Sequence, residues 1–480
     1  MNSMIIILGA TGDLARKKIF PALYQLFIQN KLGTSLIVGA ALEQTTAEQL
    51  LVNAKKQVKD VDNEKWHQFG QRVLYQSINF SHEKDFDTLA AFVSKLEKQH
   101  KLNGNRLVYC SVAPYFYCTI TLGLAKSELV KKLPKQTNNH PEPVEGWNRI
   151  VYEKPFGHDL QSAHEVNECI AANFEEHQIY RIDHYLTKEL VGNIALVRFT
   201  NIIFEPLWNN RYIDQVQIVF DESEGIEGRG AFYDKYGAIA DVMQNHMMQL
   251  VALIAMESPE KLSGDYIRTQ RALVLQKVKV IDALVGQFKG YLKEPGVAAD
   301  SKTETFAQVQ LRIDNPRWVG VPFYLKTGKL LNKKETTIYI KFKQVDCLLT
   351  RAACPSEPNY LTIEVSPDPA FSLTLNAKRP GKSDEVMPVQ MAFSHPTFGM
   401  APEAYETLFE EILKGEQSVS VRFDEIEYAW KIIDTIKNLK PQLYLYEPGS
   451  EGPLEEKTHF ERKHGMKWHA RPSNKKEDKK

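Results

Sequence analysis

The sequence has no surplus of either charge: 60 lysines and arginines meet 60 aspartates and glutamates over 480 residues. Nothing in that global balance points to nucleic acid or an anionic membrane, and neither is expected as a partner. It also lacks any apolar run near the roughly 18 residues of a membrane span. The N-terminus shows no signal-peptide layout and passes straight into an apolar strand and a glycine turn. Cysteine is scarce. Cys110, Cys118, Cys169, Cys347 and Cys354 are scattered, odd in number and without CxxC or metal-type spacing. No metal site is expected, and the thiols are read as reduced. These absences describe a cytoplasmic soluble protein, long enough for two or three domains.

What is present starts at residue 4. Met4-Ile5-Ile6-Ile7-Leu8 is a fully apolar strand, as at the centre of a parallel sheet. It ends in Gly9-Ala10-Thr11-Gly12-Asp13-Leu14-Ala15, and apolar spacing through Ile19, Leu23, Leu26 and Phe27 predicts a helix next. Strand, glycine turn and helix form the context of a dinucleotide fingerprint. The glycines let the backbone approach a pyrophosphate, and the helix N-terminus attracts it. A second strand, Leu36 to Ala41, leads to Leu42-Glu43-Gln44, where such folds read the adenosine ribose. Strands at Arg106–Val112 and Arg149–Glu153 are each closed by a proline, with a polar surface loop from Lys131 to Gly146 between them. Strand–helix alternation predicts a doubly wound α/β domain over 1–183. Past it, alternating strands at Tyr212–Glu222, Glu304–Asp314, Val321–Lys329, Glu335–Val345 and Tyr360–Val365 predict an α+β domain over 184–454. Its mostly antiparallel sheet is expected to have one wet face and to pair between subunits. Residues 455–480 read as a charged, solvated tail.

The densest chemistry lies in Tyr180-Arg181-Ile182-Asp183-His184-Tyr185-Leu186-Thr187-Lys188-Glu189. Polar–apolar alternation makes Gln178–Ile182 a strand, and Leu186, Leu190, Ile194 and Val197 place a helix start near His184. His184 and Lys188 then stand one turn apart, beside Tyr185. Two cations and a hydroxyl at a helix start suit a phosphate dianion; taken alone they suit a solvated charged turn equally well. A second polar group falls in Asp241-Val-Met-Gln-Asn-His246, at the start of a helix whose buried stripe is Met243, Met247, Leu250 and Ile254. A lone histidine in such a place is more often structural. Asp183 is the candidate to hold its other ring nitrogen, which would fix the tautomer and stabilise an imidazolium. Lys329, Lys333 and Lys334 add a cluster of cations at a strand end.

Taken in order, Gly9-Ala-Thr-Gly-Asp-Leu-Ala15, Gly146-Trp-Asn-Arg-Ile-Val-Tyr-Glu-Lys-Pro-Phe-Gly157, Arg181-Ile-Asp-His-Tyr-Leu-Thr-Lys-Glu189 and Asp241-Val-Met-Gln-Asn-His246 resemble the glucose-6-phosphate dehydrogenase family. Asn201-Ile-Ile-Phe-Glu-Pro-Leu-Trp-Asn209, Val321-Pro-Phe-Tyr-Leu-Lys-Thr-Gly-Lys329 and Tyr446-Glu-Pro-Gly-Ser-Glu-Gly-Pro453 extend the likeness over nearly the whole chain. The resemblance implies oxidation of glucose 6-phosphate at C1 to 6-phosphogluconolactone with NAD or NADP, the first step of the oxidative pentose phosphate pathway. It implies His246 as general base and Asp183 as its partner. It implies His184, Tyr185 and Lys188 as phosphate ligands, with Lys154, Glu222, Asp241, Lys329 and Lys334 at sugar or phosphate positions. On the coenzyme side it implies Gly9, Thr11, Gly12, Asp13, Leu14, Lys18, Glu43 and Lys154. It also implies a cis Lys154-Pro155 bond and a homodimer, or dimer of dimers, through the second sheet.

Two departures stand out. Thr187 replaces the family's glycine, which is expected to matter little on a helix. Leu42 stands where NADP-using members commonly carry arginine, and with Glu43 beside it the pair argues for NAD use. A two-domain oxidoreductase of the glucose–fructose oxidoreductase type would share the glycine turn and the Glu-Lys-Pro strand end. It gives no reason for the cluster at His184, Tyr185 and Lys188. A catalytically silent homologue would need a broken site, whereas His246 and Asp183 are both in place.

Overall fold

A strand without a polar face must be covered on both sides, and the first strand is buried at every position. In the computed structural model, which describes residues 2–134, 146–345, 358–381, 386–394 and 403–469, it lies in a six-stranded sheet. The strands are β1 (Met4–Leu8), β2 (Leu36–Ala41), β3 (Val73–Ser77), β4 (Arg106–Cys110), β5 (Asn148–Glu153) and β6 (Ile179–Ile182). All pairs are parallel and the order is β3-β2-β1-β4-β5-β6, the doubly wound arrangement expected. Ile5 and Ile7 face one helical layer, while Met4, Ile6 and Leu8 face the other.

Beside the cut expected at residue 183, the packing of the chain groups it into two compact units built from several segments. Its first compact unit comprises 1–195, 256–275 and 401–431, and the second comprises the remainder. The reason is packing. Leu408, Phe409, Ile412 and Leu413 of the helix Ala404–Lys414 complete the core beside the helix Phe20–Ile28, with Phe409 stacked on Tyr109 at 5.2 Å. Residues 417–421 run along the edge of β6. Arg181 N–H donates to Ser420 Oγ at 3.0 Å, and Val421 N–H donates to the Arg181 carbonyl at 2.9 Å. Arg271 donates to the Ser420 carbonyl at 2.7 Å and pairs with Glu425 at 2.8 Å, both side chains fully buried.

The expectation of reduced thiols fails at one pair. Cys118 and Cys169 form a disulfide between the helices Tyr117–Lys126 and Leu160–Asn173, which share one face of the sheet and bring the two Cα atoms to 5.8 Å. Cys110 is a buried thiol. Cys347, Cys354 and most of the loop read from Lys131 to Gly146, at 135–145, lie outside the described residues.

The second unit is built on nine strands: β7 (Ile213–Asp221), β8 (Val278–Phe288), β9 (Phe306–Ile313), β10 (Phe323–Gly328), β11 (Glu335–Phe342), β12 (Tyr360–Ser366), β13 (Ala370–Lys378), β14 (Val386–Ser394) and β15 (Leu443–Tyr446). The order is β14-β13-β12-β11-β7-β10-β9-β8-β15, antiparallel except for β7 with β10 and β8 with β15. Two expectations are corrected together here. β7 has no wet face, because Gln217 and Asp221 are as buried as Ile218 and Phe220. The segment read as a solvated tail covers part of it. Leu454–Lys463 is a helix, Gln217 donates to the Lys467 carbonyl at 2.7 Å, and its oxygen accepts His469 N–H at 2.8 Å. The His469 ring stacks on Tyr360 at 4.1 Å, and Phe460 and Met466 are buried. Phe460, Met466 and His469, spread among charges, dock the segment. Residues 470–480 lie outside the described part. Among the described residues no helix is long and apolar enough to cross a membrane.

Removing one partner of a fully buried ion pair strands the other charge, at a cost of about 3–5 kcal/mol. Glu425→Ala is therefore expected to lower the stability of the first unit by about that amount, read from its urea unfolding transition. A loss below about 1 kcal/mol would show that the Arg271–Glu425 pair does not hold the 417–425 segment.

Candidate active site

The glycine turn is fixed from two sides. The N–H groups of Gly9 and Ala10 donate to the Ala40 carbonyl at 2.8 and 3.2 Å, and Gly12 N–H closes the turn on the Gly9 carbonyl at 3.0 Å. Gly9 has φ +82°, and a Cβ there would lie 2.2 Å from the Ser111 carbonyl oxygen, so only glycine fits. The helical turn Ala15–Ile19 follows, in π-helical form, and continues as Phe20–Ile28; Leu14 packs on the core beneath. Asp13 is exposed and pairs with Arg16 at 2.5 Å and Lys17 at 2.9 Å, two cations that hold its carboxyl below the usual range. Lys18 pairs with Glu403 at 3.0 Å. Past β2, Thr11 donates to the Glu43 carboxylate at 2.7 Å, while Tyr75 donates to the Glu43 carbonyl at 2.6 Å. This cradle, closed to any side chain at Gly9 and headed by a helix start, fits a dinucleotide pyrophosphate.

At the end of β5 the Lys154-Pro155 bond is cis, as the resemblance implied. Glu153, just before it, is a residue to which sequence reasoning gave no role. Its carboxylate is buried and accepts the hydroxyls of Tyr109 and, at 3.0 Å, Tyr405. Burial pushes its carboxyl up against the two hydroxyl donors. The Glu-Lys-Pro motif signalled the place; the tyrosines come from β4 and from residue 405, which no local pattern links to it.

Asp183 follows the last residue of β6. Its carboxylate accepts Tyr185 N–H at 2.9 Å and its carbonyl accepts Leu186 N–H at 3.0 Å, an Asx-type turn. The helix expected from His184 begins instead at Glu189, because Asp183 draws the backbone donors into this turn. The turn still brings the expected trio together. The His184 and Tyr185 rings lie 5.1 Å apart, and the Lys188 ammonium sits 3.9 Å over the Tyr185 ring. Thr187 is not an idle helical position: it is buried, and its hydroxyl bonds the His184 carbonyl at 2.8 Å.

In the second unit, parallel pairing of β7 with β10 sets Asp221 against Gly328, so the next residues, Glu222 and Lys329, emerge side by side. Lys329 is 4% exposed; its ammonium meets Glu222 at 2.5 Å and lies 3.9 Å from Asp241. Its carbonyl accepts the Tyr446 hydroxyl at 2.7 Å. Asp241 and His246 share the π-helical stretch Ile239–Met247, and Met243, Met247, Leu250 and Ile254 are buried as expected. The ring of His246 is buried and lies parallel to Phe220 at 5.9 Å. Glu304, also unnoticed in the sequence, receives Ile239 N–H at 3.1 Å at the start of that helix, where a carboxylate suits the dipole. Lys334 stands apart from this group, exposed and paired with Glu224 at 2.9 Å, which raises its ammonium above the usual range.

A parallel sheet in this order, a glycine turn after β1 and an acid beyond β2 define a nicotinamide-dinucleotide oxidoreductase. Within that class the match is specific. Residues 6–193 fit the glucose-6-phosphate dehydrogenase NAD binding domain and 195–469 fit the glucose-6-phosphate dehydrogenase C-terminal domain. The glucose-6-phosphate 1-dehydrogenase of Bacillus subtilis is 37% identical, covering 95% of this chain and 96% of its own. A cytoplasmic one from Arabidopsis thaliana is 39% identical, covering 97% and 93%. A solved glucose-6-phosphate dehydrogenase in complex with glucose-6-phosphate superimposes with a TM-score of 0.89 at 33% identity, covering 98% of this chain and 99% of that one. The chain belongs to the glucose-6-phosphate dehydrogenase family, NAD(P)-dependent oxidoreductases that act on glucose 6-phosphate.

Gly9→Ala is expected to weaken NADH binding by at least about tenfold, because the turn must open to admit the methyl group. Fluorescence titration of the coenzyme checks this, and unchanged affinity would separate the turn from coenzyme binding.

Proposed function

We propose that this chain oxidises glucose 6-phosphate at C1 to 6-phosphogluconolactone, passing the hydride to NAD or NADP, in the first step of the oxidative pentose phosphate pathway. The observation that carries the substrate reading is the turn after Asp183, which gathers His184, Tyr185 and Lys188 as donors for a phosphate dianion. A nicotinamide dinucleotide, when bound, supplies the hydride acceptor. Gly9, Thr11, Gly12, Asp13 and Leu14 would hold its pyrophosphate side, Glu43 its adenosine ribose, and Lys18 and Lys154 the border with the sugar.

His246 takes the proton from the C1 hydroxyl as the hydride leaves C1, so a hydride and a proton, two hydrogens and two electrons in all, depart and the ring carbon becomes a lactone carbonyl. Asp183 is assigned as the carboxylate that orients the His246 ring and stabilises the imidazolium that forms. Supporting the assignment, Asp183 is itself held by Tyr185 N–H at a buried strand end. Glu222, Asp241 and Lys329 orient the sugar hydroxyls, and Lys334 is assigned an outer phosphate contact. The same reading includes a homodimer or dimer of dimers through the second unit's sheet, supported by the exposed Met391 and Phe393 on its edge strand, and a cytoplasmic location.

His246→Asn is expected to lower kcat by roughly 10²–10⁴-fold and leave NADH binding unchanged. Wild-type kcat in that variant would sink the assignment. Tyr185→Phe and Lys188→Ala are each expected to raise KM for glucose 6-phosphate about 10–100-fold, the size of a lost charge-assisted hydrogen bond. The coenzyme KM should stay put in both; an equal rise in the two constants would remove these residues from the phosphate site.

A further inference from the structure

We infer that Glu43, held in place by Thr11, is the specificity determinant that makes this chain an NAD enzyme and turns NADP away. The inference rests on reading the first unit as the coenzyme site and says which of the two coenzymes that site admits.

The geometry at the end of β2 carries it. Leu42, 63% exposed, brings no charge and no donor where the 2′ group of the adenosine ribose is read. The next side chain is a carboxylate in a defined position. Thr11, from the glycine turn, donates to it at 2.7 Å, while Tyr75 and Ser77 grip the main chain through the carbonyls of Glu43 (2.6 Å) and Leu42 (3.1 Å). A carboxylate has about four lone-pair sites. Thr11 uses one, leaving acceptors for the 2′- and 3′-hydroxyls of a plain ribose. A 2′-phosphate offers acceptors only, and the Thr11 proton is already committed to Glu43.

The nearby cations do not repair this. Arg16 and Lys17 both turn to Asp13, and Lys18 turns to Glu403. Such exposed pairs are individually weak, so they direct the cations more than they hold them. Their effect is that every positive charge on the first helical turn faces a carboxylate, Arg16 and Lys17 sharing Asp13, and none is aimed at the end of β2. A phosphate arriving there would meet Glu43 first. Like charges about 4 Å apart, even in a mostly aqueous setting, repel by enough to change binding several-fold to tenfold or more.

Direct titration of the full-length protein with NADH and NADPH, without sugar, tests this by coenzyme fluorescence. The wild type is expected to bind NADH at least about tenfold more tightly than NADPH. Glu43→Gln should bring the two affinities to within about threefold, and adding Leu42→Arg to it should reverse the order. Thr11→Val should weaken NADH and shrink the ratio, and Thr11→Ser should restore both, which a merely structural threonine would not do. NADPH bound as tightly as NADH by the wild type, or a ratio unmoved by Glu43→Gln, would overturn the inference. Because no sugar is present, a failure of the glucose 6-phosphate reading would leave these ratios standing.

Discussion

The main chain of Arg181 is bonded on both sides of its peptide unit by Ser420 and Val421, and the placement of Asp183 depends on that anchorage. β6 is the last strand of its sheet and has one open edge. Left open, that edge would fray at its end, and the turn after it would have no fixed origin. The 417–421 segment closes the edge, and the fully buried Arg271–Glu425 pair holds the segment in turn. Only then does the Asx turn at Asp183 present His184, Tyr185 and Lys188 from a rigid base. Binding residues that sit in a turn rather than on a helix need such a base, since a turn has few internal bonds of its own.

The second unit solves the same problem through register. Parallel strands advance together, so fixing Asp221 opposite Gly328 fixes Glu222 beside Lys329 without any further device. A nearly buried ammonium is tolerable only with close counter-charges, and Glu222 and Asp241 provide them. Glu304 then sets the start of the helix that bears both Asp241 and His246. Carboxylates at positions 153, 304 and 425 recur as anchors of the elements that carry the chemistry, each tied to a donor far away in sequence.

What could be read in advance was what is local. The glycine turn, the apolar strands and the Met243–Ile254 stripe follow from patterns a few residues long. The turn at 184–188 was misread as a helix because apolar spacing from Leu186 onward ignores what the Asp183 side chain does to the backbone donors. The sheet's wet face and the solvated tail were one error seen twice: alternation in β7 is real, but Gln217 meets Lys467 and His469, some 250 residues away. Likewise no local signal in residues 401–431 announces that they complete a domain begun at residue 4. Periodicity reports that a face is polar; it does not report whether water or another part of the chain covers it.

The interleaved chain path has a consequence for synthesis. A ribosome delivers the six strands of the first unit long before the helix Ala404–Lys414 that covers part of their core, and the strands must wait for roughly 200 further residues, about 10–40 s at ordinary elongation rates. During that interval the surface destined for Leu408, Phe409, Ile412 and Leu413 is bare apolar area on a nascent chain. Such area is what holdase chaperones bind and what misassembly exploits. The order of these segments along the chain thus leaves that area bare for longer the more slowly the chain between those two points is made.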